Sequence, residues 1–289
     1  PRVSREAGFA SFAILPERRR RSTSPEMPPS TVFESPQWHA QVAALVAASD
    51  SKSIAEELVS LICMTVVNDG TSLLAFHKDA APEVLAHSLA PANRRHFLDR
   101  YLAGPYLLDP LYQMAISDKK PTMCRFRDTQ PDRFRSSEYY HQYVERTHLV
   151  DEMDFLRDMS PMSTLVIVVG RTKNRLTRAE RNRLELIEPI VAAAMQRVWD
   201  KWQQTSSPDR GIHQRLTECF DNFGDNVLTQ REREITQLLL RGHSTKSVAR
   251  ELKIAPGTVM VHKRNLFSKL GITSQYELFS RFIENLSQG

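Results

Sequence analysis

The sequence predicts two domains: an α/β sandwich with a sheet of about five strands, followed by an all-α domain. Five short segments rich in strand-forming residues alternate with helical patterns before residue 203. Apolar residues recur at helical spacing after residue 225. Residues 204–224, which open with a polar run containing Ser206, Ser207 and Pro208, are assigned to a linker. At 289 residues the chain is long enough to bury two hydrophobic cores.

Residues 1–35 have the composition of a disordered tail. Four arginines, Arg18 to Arg21, precede a run rich in Ser, Thr and Pro that cannot bury a core. We expect a flexible tail, although the arginine run is also compatible with nonspecific contact to DNA. A natural start at Met27 is a further alternative, which leaves open whether residues 1–26 belong to the natural protein.

Residues 36–203 read as helices flanking a sheet, which is an α/β sandwich of the GAF/PAS kind. Two amphipathic helices come first, and Ser53 is the predicted N-cap of the second. Further helices are predicted over 92–102, from Asp109-Pro110 with Asp109 as N-cap, and over 132–145. The last helix, 177–202, opens with a capping box of Thr177 and Glu180. The predicted strands are 71–77, 83–88, 122–126, 152–157 and 165–169, the last of them central.

Residues 228–272 carry the pattern of a helix-turn-helix. Thr229 and Glu232 form a capping box, and Gly242 ends the first helix in left-handed geometry. A short second helix follows, and Pro256 begins a third. The third helix should pack Val259, Leu266 and Leu270 inward and present Gly257, Met260, Val261, Arg264 and Ser268 outward. Such a helix enters the major groove of DNA in helix-turn-helix proteins.

Many positions in this segment match a known family at fixed spacing. They are Leu228, Thr229, Arg231, Glu232, Arg233, Glu234, Gly242, Ser244, Lys246, Ala249, Leu252, Ile254, Thr258, Val259, His262, Asn265, Lys269, Leu270 and Gly271. Together they resemble the DNA-binding domain of LuxR-type transcriptional regulators. The chain departs from the family at Thr245, Ser247, Ala255 and Met260, and Met260 removes a lysine from the reading face. The alternative is a helical bundle that binds only protein.

The resemblance implies double-stranded DNA as a partner and predicts which residues contact it. We expect Met260, Val261 and Arg264 to contact base edges. Lys246, Thr258 and Lys263 should contact phosphates, and Thr245 completes the predicted surface. The charge distribution agrees, because residues 225–289 hold 10 Lys and Arg against 6 Asp and Glu within a chain of net charge +5.

The composition argues against several other classes of protein. No stretch approaches the ~20 apolar residues of a membrane helix, so no membrane contact is expected. Cys63, Cys124 and Cys219 are scattered, which favours a reducing cytoplasm and no metal site. Phosphate-binding loops, nucleophile elbows and zinc-protease motifs are missing from the sequence, so neither an enzyme nor a cofactor is predicted.

A second resemblance lies in the predicted sandwich. Phe97, Tyr101, Tyr106, Asp109-Pro110 and Pro121 are similar to the autoinducer-binding domain of quorum-sensing LuxR regulators. The resemblance implies that Asp109 accepts a hydrogen bond from a ligand N–H and that Tyr101 donates one. Phe97 and Cys124 stand where the family has tryptophans, and Phe cannot donate a hydrogen bond. The predicted ligand site is therefore Phe97, Tyr101, Tyr106, Asp109 and Cys124, and its ligand is not a standard acyl-homoserine lactone.

Glu152 and Asp154 are two apart in a predicted strand and so share one side of it. Facing a pocket, they would favour a cationic or amine-bearing ligand. Facing water, they are ordinary edge charges. We favour the solvent-facing alternative, because buried acids are rare unless they are paired.

These observations together predict a cytoplasmic bacterial transcription regulator with an α/β sensory sandwich and a helix-turn-helix. We expect a homodimer held by the sensory domains and the 177–202 helix, reading an inverted repeat, with RNA polymerase as a further partner. The last helix would add a dimer contact on DNA through Leu278, Phe279, Phe282, Ile283 and Leu286. The alternatives are a receptor for acyl-homoserine lactones and a ligand-independent regulator controlled by protein partners. The ligand, the operator and the sense of regulation stay open.

Overall fold

A computed structural model describes residues 32–137, 139–203, 210–275, 277–278 and 281–282. The predicted tail therefore lies almost entirely outside the described residues. The N-terminal part is a sheet with helices on both faces. In chain order its elements are α1 (Pro36–Ala47), α2 (Ser51–Thr65), β1 (Gly70–His77), β2 (Glu83–His87), α3 (Pro91–Arg94), a π-helical turn (Arg95–Asp99), α4 (Arg100–Leu102), a 3-10 turn (Pro105–Leu108), α5 (Pro110–Ala115), β3 (Met123–Arg125), α6 (Phe126–Thr129), a 3-10 turn (Phe134–Ser136), a π-helical turn (Tyr140–Val144), α7 (Glu145–Thr147), β4 (Asp151–Ser160), β5 (Ser163–Arg171) and α8 (Arg178–Trp202).

The five strands form one antiparallel sheet in the order β2-β1-β5-β4-β3. All five predicted strands are present, and β5 is central as its apolar run predicts. One face of the sheet is closed by α1, α2 and α8, which pack against Leu73, Phe155 and Ile167. The other face carries the helical segments between β2 and β4. The predicted α/β sandwich of five strands is confirmed.

Local capping explains where several helices begin. The Thr177 and Glu180 capping box opens α8 as predicted. Asp109 caps α5, and its carboxylate accepts from the Leu111 N–H at 2.9 Å. The N-cap of α2 is Asp50, not Ser53, whose N–H instead donates to the Asp50 carboxylate. Both residue types are good caps, and here the Asp50 carboxylate accepts from both the N–H and the hydroxyl of Ser53, so Ser53 lies inside the first turn.

The helix predicted over 132–145 is wrong in its first half. Ser137 adopts an extended backbone conformation that interrupts the segment. Its hydroxyl donates to the Phe134 carbonyl and accepts from the Tyr140 N–H, so it starts a new helical turn. Aromatic side chains from both pieces then pack together, with Phe134 and Tyr140 rings 5.7 Å apart.

The C-terminal part is helical. It comprises α9 (Arg210–Asp221), α10 (Gln230–Leu240), α11 (Thr245–Glu251) and α12 (Pro256–Leu270). The Thr229 and Glu232 capping box and the left-handed Gly242, with φ of +88°, match the prediction. Within the stretch assigned to the linker, the described residues include all of α9, a helix that the linker assignment did not predict. In the last predicted helix Leu278 and Phe282 are buried, whereas Phe279, Ile283 and Leu286 lie outside the described residues.

The two parts contact each other at the turn between α10 and α11. The Arg133 N–H donates to the Gly242 carbonyl at 3.2 Å, and the Ser244 N–H donates to Asp132 Oδ1 at 3.0 Å. A Cβ on Gly242 would lie 2.7 Å from the Ser137 Cβ, so only glycine allows this approach. A second contact joins Tyr106 Oη to Nδ1 of His213, on α9, at 3.0 Å. Across the described residues, no helix combines the length and apolar character needed to span a membrane.

Candidate functional site

A pocket opens on the face of the sheet that α1, α2 and α8 leave uncovered. It lies between the sheet and the helical segments over 91–102 and 139–147. The volume that the centres of water molecules can occupy inside it is about 70 Å³. That space holds roughly five to seven waters at ~10–15 Å³ each. The lining combines apolar, aromatic and acidic residues: Asp69, Gly70, Ser72, Leu74, Phe76, Leu89, Phe97, Leu98, Tyr101, Asp109, Leu111, Tyr139, Tyr143, Leu149, Glu152, Val168, Gly170 and Thr172.

The Asp109 carboxylate is one polar group of this pocket. It is 3% exposed, caps α5, and accepts a hydrogen bond from the Tyr101 hydroxyl at 2.8 Å. Burial raises the pKa of Asp109 to about 6, and the hydrogen bonds from Tyr101 and the Leu111 N–H oppose that rise. The carboxyl is therefore largely ionised at neutral pH and acts as an acceptor.

Glu152 and Asp154 face the same side of the sheet, and it is the pocket side. Glu152 lines the pocket at 8% exposure and Asp154 lies beside it at 0%. The solvent-facing placement that the sequence favoured is therefore wrong. The alternation of β4 shows that the two residues share a face, but only the helical cover over that face determines that it is buried.

The surroundings of these two acids lack positive charge. None of the described residues that line the pocket is Lys, Arg or His. Asp154 Oδ2 lies 3.7 Å from the Cys124 sulfur, while its Oδ1 is buried with no donor placed on it by the rest of the described chain. Burial first, and then the neighbouring Asp109 charge, raise the pKa of Glu152 to about 8. Burial and then the Glu152 charge raise the pKa of Asp154 well above its usual range.

Asp69, at the pocket rim, is a contrasting acid. Its carboxylate accepts from the Thr172 N–H at 2.7 Å and from the Thr172 hydroxyl at 2.9 Å. These bonds, the backbone one most of all, lower the pKa of Asp69. The protein satisfies this carboxylate itself, which it does not do for Oδ1 of Asp154.

Aromatic rings form much of the remaining wall. The Tyr101 ring lies 6.4 Å from Phe76 and 5.4 Å from Tyr143, and Tyr143 stacks on Tyr139 at 5.3 Å. Ring faces of this kind attract cations as well as apolar groups. The pocket therefore suits a molecule with an apolar body and a polar or charged end.

The predicted ligand residues divide into two groups. Phe97, Tyr101 and Asp109 line the pocket. Tyr106 lies behind Tyr101, with ring centroids 6.2 Å apart, and contacts α9; Cys124 lies behind Asp154. Burial and the nearby acids raise the pKa of the Cys124 thiol, so it stays protonated. Sequence reasoning missed Tyr139 and Tyr143 as lining residues, although the aromatic cluster over 134–143 was a visible signal.

The helix-turn-helix presents a separate surface. On α12, Val259, Leu266 and Leu270 are buried as predicted, and Met260 is 64% and Val261 48% exposed. The same row of exposed residues includes Thr258 and Arg264, and on α11 Lys246 is exposed while Thr245 is half-buried. These residues therefore form one accessible face.

Lys263 is placed differently from the other predicted DNA-binding residues. It is half-buried, and its Nζ lies 5.2 Å from the Phe267 ring centroid and 3.5 Å from Gln275 Oε1. Burial, and then the charge of Arg133, lower the pKa of Lys263. Its contact with a phosphate would require the side chain to leave Phe267.

Comparisons with known proteins agree with this architecture. Residues 226–282 match the family of bacterial regulatory proteins described as the luxR family. The chain is 32% identical over 157 residues to a protein of Aeromonas salmonicida assigned as an HTH-type transcriptional regulator in the exeN 3' region, covering 52% of this chain and 80% of that protein. It is 25% identical over 247 residues to the monoamine regulon transcriptional regulator of Klebsiella aerogenes, covering 83% of this chain and 95% of that protein.

One solved structure shares the fold of the N-terminal part. The VqsR LBD domain from Pseudomonas aeruginosa superposes with a TM-score of 0.50 at 23% identity, covering 57% of this chain and 97% of that one. At the C-terminus, the matched family model covers α10, α11 and α12 and so coincides with the observed helix-turn-helix. The chain thus belongs to the luxR family of bacterial regulatory proteins and is a transcriptional regulator with a LuxR-type helix-turn-helix.

Proposed function

We propose that this regulator is ligand-responsive: a small molecule bound in the pocket of the sandwich changes how the helix-turn-helix binds its operator. The observation that carries the proposal is a pocket lined by the carboxyl groups of Asp109 and Glu152, with Asp154 beside them and its Oδ1 without a donor among the described residues. A structural core normally satisfies its polar groups or excludes them. Unpaired groups around an open space are the expected features of a ligand site.

Two observations support a ligand other than a standard acyl-homoserine lactone. Phe97 lines the pocket and cannot donate to a lactone carbonyl. The free space is also small for a lactone carrying an acyl chain. The name of the Klebsiella relative, which refers to a monoamine regulon, supports a compact organic molecule as the signal.

The contacts between the two parts supply a route from pocket to DNA. Tyr101 lines the pocket, Tyr106 packs against Tyr101, and Tyr106 Oη bonds to His213 of α9. Asp132 and Arg133 hold the turn before α11. A ligand that shifts the Tyr101 wall therefore acts on residues that touch the helix-turn-helix.

We expect Met260, Val261 and Arg264 to read bases and Lys246, Thr258 and Lys263 to contact phosphates, with Thr245 beside them. We also expect a homodimer on an inverted repeat, because one helix-turn-helix reads few base pairs. Exposed apolar side chains at Leu186 of α8, 67% exposed, and Val46 of α1, 70% exposed, support a dimer contact on the closed side of the sandwich.

The test uses the full chain and an operator selected from random DNA. Small organic molecules are screened for those that raise the unfolding temperature, because a molecule that binds only the folded state stabilises it. Each stabilising molecule is then titrated into an operator-binding assay. A change in operator affinity supports the proposal. Stabilising molecules that leave operator affinity unchanged would favour the ligand-independent alternative.

A further inference from the structure

The charges around the pocket define what the ligand must supply. Asp109 and Glu152 line the pocket and Asp154 lies beside Glu152 outside the lining, and each of these three carboxyl groups is at least nine-tenths buried. Among the described lining residues there is no basic side chain to balance them. Two further acids are near the cluster: Asp151, whose carboxylate accepts from the Leu176 N–H at 2.9 Å, and Asp69 at the rim, which accepts from Thr172. The hydroxyls of Tyr101, Tyr139 and Tyr143 and the thiol of Cys124 are neutral, because burial raises the pKa of each.

Burying ionised carboxylates without a partner is unfavourable, so the empty pocket must respond in one of two ways. It holds protons on Glu152 and Asp154, or it binds a cation that pairs with them. Asp154 Oδ1 is buried and has no hydrogen-bond donor placed on it by the rest of the described chain, and the Glu152 and Asp154 carboxyls hydrogen-bond to each other only while one of them keeps a proton. That acceptor is an observation independent of the acidic composition.

The other residues that line the pocket indicate which kind of cation it would bind. A bare metal ion requires several oxygen, nitrogen or sulfur ligands gathered at one point, and the described residues contain no group of three such side chains placed to hold one. An organic ammonium needs only a few acceptors and gains from aromatic faces. Tyr101, Tyr139 and Tyr143 provide such faces, and Leu74 and Val168 provide an apolar floor.

We propose that the pocket binds a small organic cation: a protonated primary amine on an apolar, aromatic-sized body, with its ammonium group at Asp109 and Glu152. This inference rests on the proposed sensory function and adds the chemical class of the signal. The aromatic body occupies the space beside Phe76, Phe97 and Leu98. Binding replaces the protons held by the acidic groups with the ammonium charge, so protons leave for solvent.

Isothermal titration of the full chain tests the proposal with three probes of one shape. They are 2-phenylethylamine (cationic), 2-phenylethanol (neutral) and phenylacetate (anionic). We expect the amine to bind at least tenfold more tightly than the alcohol, and phenylacetate to show no binding. At pH 6.5 the heat of amine binding should differ between phosphate and ACES buffers, because the two buffer bases take up the released protons with different enthalpies.

Variants assign the effect to the named groups. Glu152→Gln should weaken the amine at least tenfold and leave the alcohol unchanged, and Asp154→Asn serves as a second variant if the first folds poorly. Glu185→Gln, which removes an exposed carboxylate on α8, is the matched control and should change neither.

Each outcome decides between the two proposals. No amine binding at millimolar concentration, equal affinity for amine and alcohol, or an unchanged amine affinity in both pocket variants overturns the amine assignment. If the alcohol or the acid binds and changes operator affinity, sensing stands while the amine class fails. If the amine binds and the pocket variants weaken it as expected, but operator affinity never changes, the ligand class stands and the sensory function fails.

Discussion

The two faces of the same five-stranded sheet are built for different purposes. On the closed face, Leu73, Phe155 and Ile167 pack against α1, α2 and α8 with almost no exposure. On the pocket face, the residues of β4 that alternate with Met153 and Phe155 are Glu152, which lines the cavity, and Asp154, which lies beside it. Because side chains alternate along a strand, each strand contributes to both faces. A substitution at one residue should therefore affect stability, and a substitution at its neighbour should affect ligand binding.

The largest expected effect is on the closed face. Phe155→Ala removes a ring that is 2% exposed and leaves a cavity against the helices. We expect the free energy of unfolding to fall by about 3–5 kcal/mol, which urea unfolding measures. Phe97→Ala, in the helical segment that covers the pocket face, is the matched comparison and should cost clearly less, because Phe97 is half-buried beside an existing space. Equal losses would remove the distinction between the faces.

Removing a carboxyl charge from the pocket face should raise the free energy of unfolding, whereas the substitution on the closed face lowers it. The pKa of Glu152, about 8 in the folded chain, lies above 4.5, the ordinary value of the side chain. The Glu152 side chain therefore makes its full contribution to the free energy of unfolding below about pH 4.5, and this contribution is lost as the pH rises through about 8. Glu152→Gln mimics the protonated form, so we expect it to stabilise the ligand-free chain by on the order of 1–3 kcal/mol at pH 8.

The pH series provides the check. The advantage of Glu152→Gln over the unsubstituted chain should shrink steadily between pH 8 and pH 5 when both are unfolded with urea. The exposed Glu185→Gln variant should show no such trend. A loss of stability for Glu152→Gln at pH 8 would mean that the protein itself pairs the carboxylate.

Within the helix-turn-helix, α12 likewise has one buried face and one exposed face. The buried residues of α12 include Val259 and Leu266, and the exposed ones include Met260 and Arg264. Arg264→Ala should weaken operator binding by about 1–3 kcal/mol and relax sequence preference, whereas Lys246→Ala should weaken all DNA alike and lower the salt slope by about one. Binding curves on operator and random DNA at several salt concentrations measure both. Equal losses on the two DNAs for Arg264→Ala would contradict the assignment.

The smallest effect concerns the contact between the two domains. Tyr106→Phe removes the hydrogen bond to His213 and should lower the free energy of unfolding by about 0.5–1.5 kcal/mol. Tyr112→Phe is the matched control, because its hydroxyl donates at 2.8 Å to the His77 carbonyl within the sandwich. We expect similar stability losses and a reduced ligand effect on operator affinity only for Tyr106→Phe. The same ligand effect in both variants would remove Tyr106 from the route.

Sequence patterns predicted most of the fold because they are local. Strand alternation, the capping boxes at Thr177 and Thr229, and Gly242 all depend on residues within a few positions of one another. The interruption at Ser137 was missed because a side-chain hydrogen bond there outweighs the helical pattern around it. The burial of Glu152 and Asp154 was missed for a different reason. Alternation shows which residues share a face, whereas the cover over that face comes from the segments 91–102 and 139–147, which lie outside the strand pattern.

We expect the acid-lined pocket to control DNA binding by responding to an organic cation. The most direct test titrates 2-phenylethylamine into the full chain bound to its selected operator and follows operator affinity by fluorescence anisotropy. We predict a saturable change of at least threefold in the operator Kd for the unsubstituted chain and for Glu185→Gln, and none for Glu152→Gln. An operator Kd that stays constant up to millimolar amine, or that changes equally in Glu152→Gln, would contradict the claim.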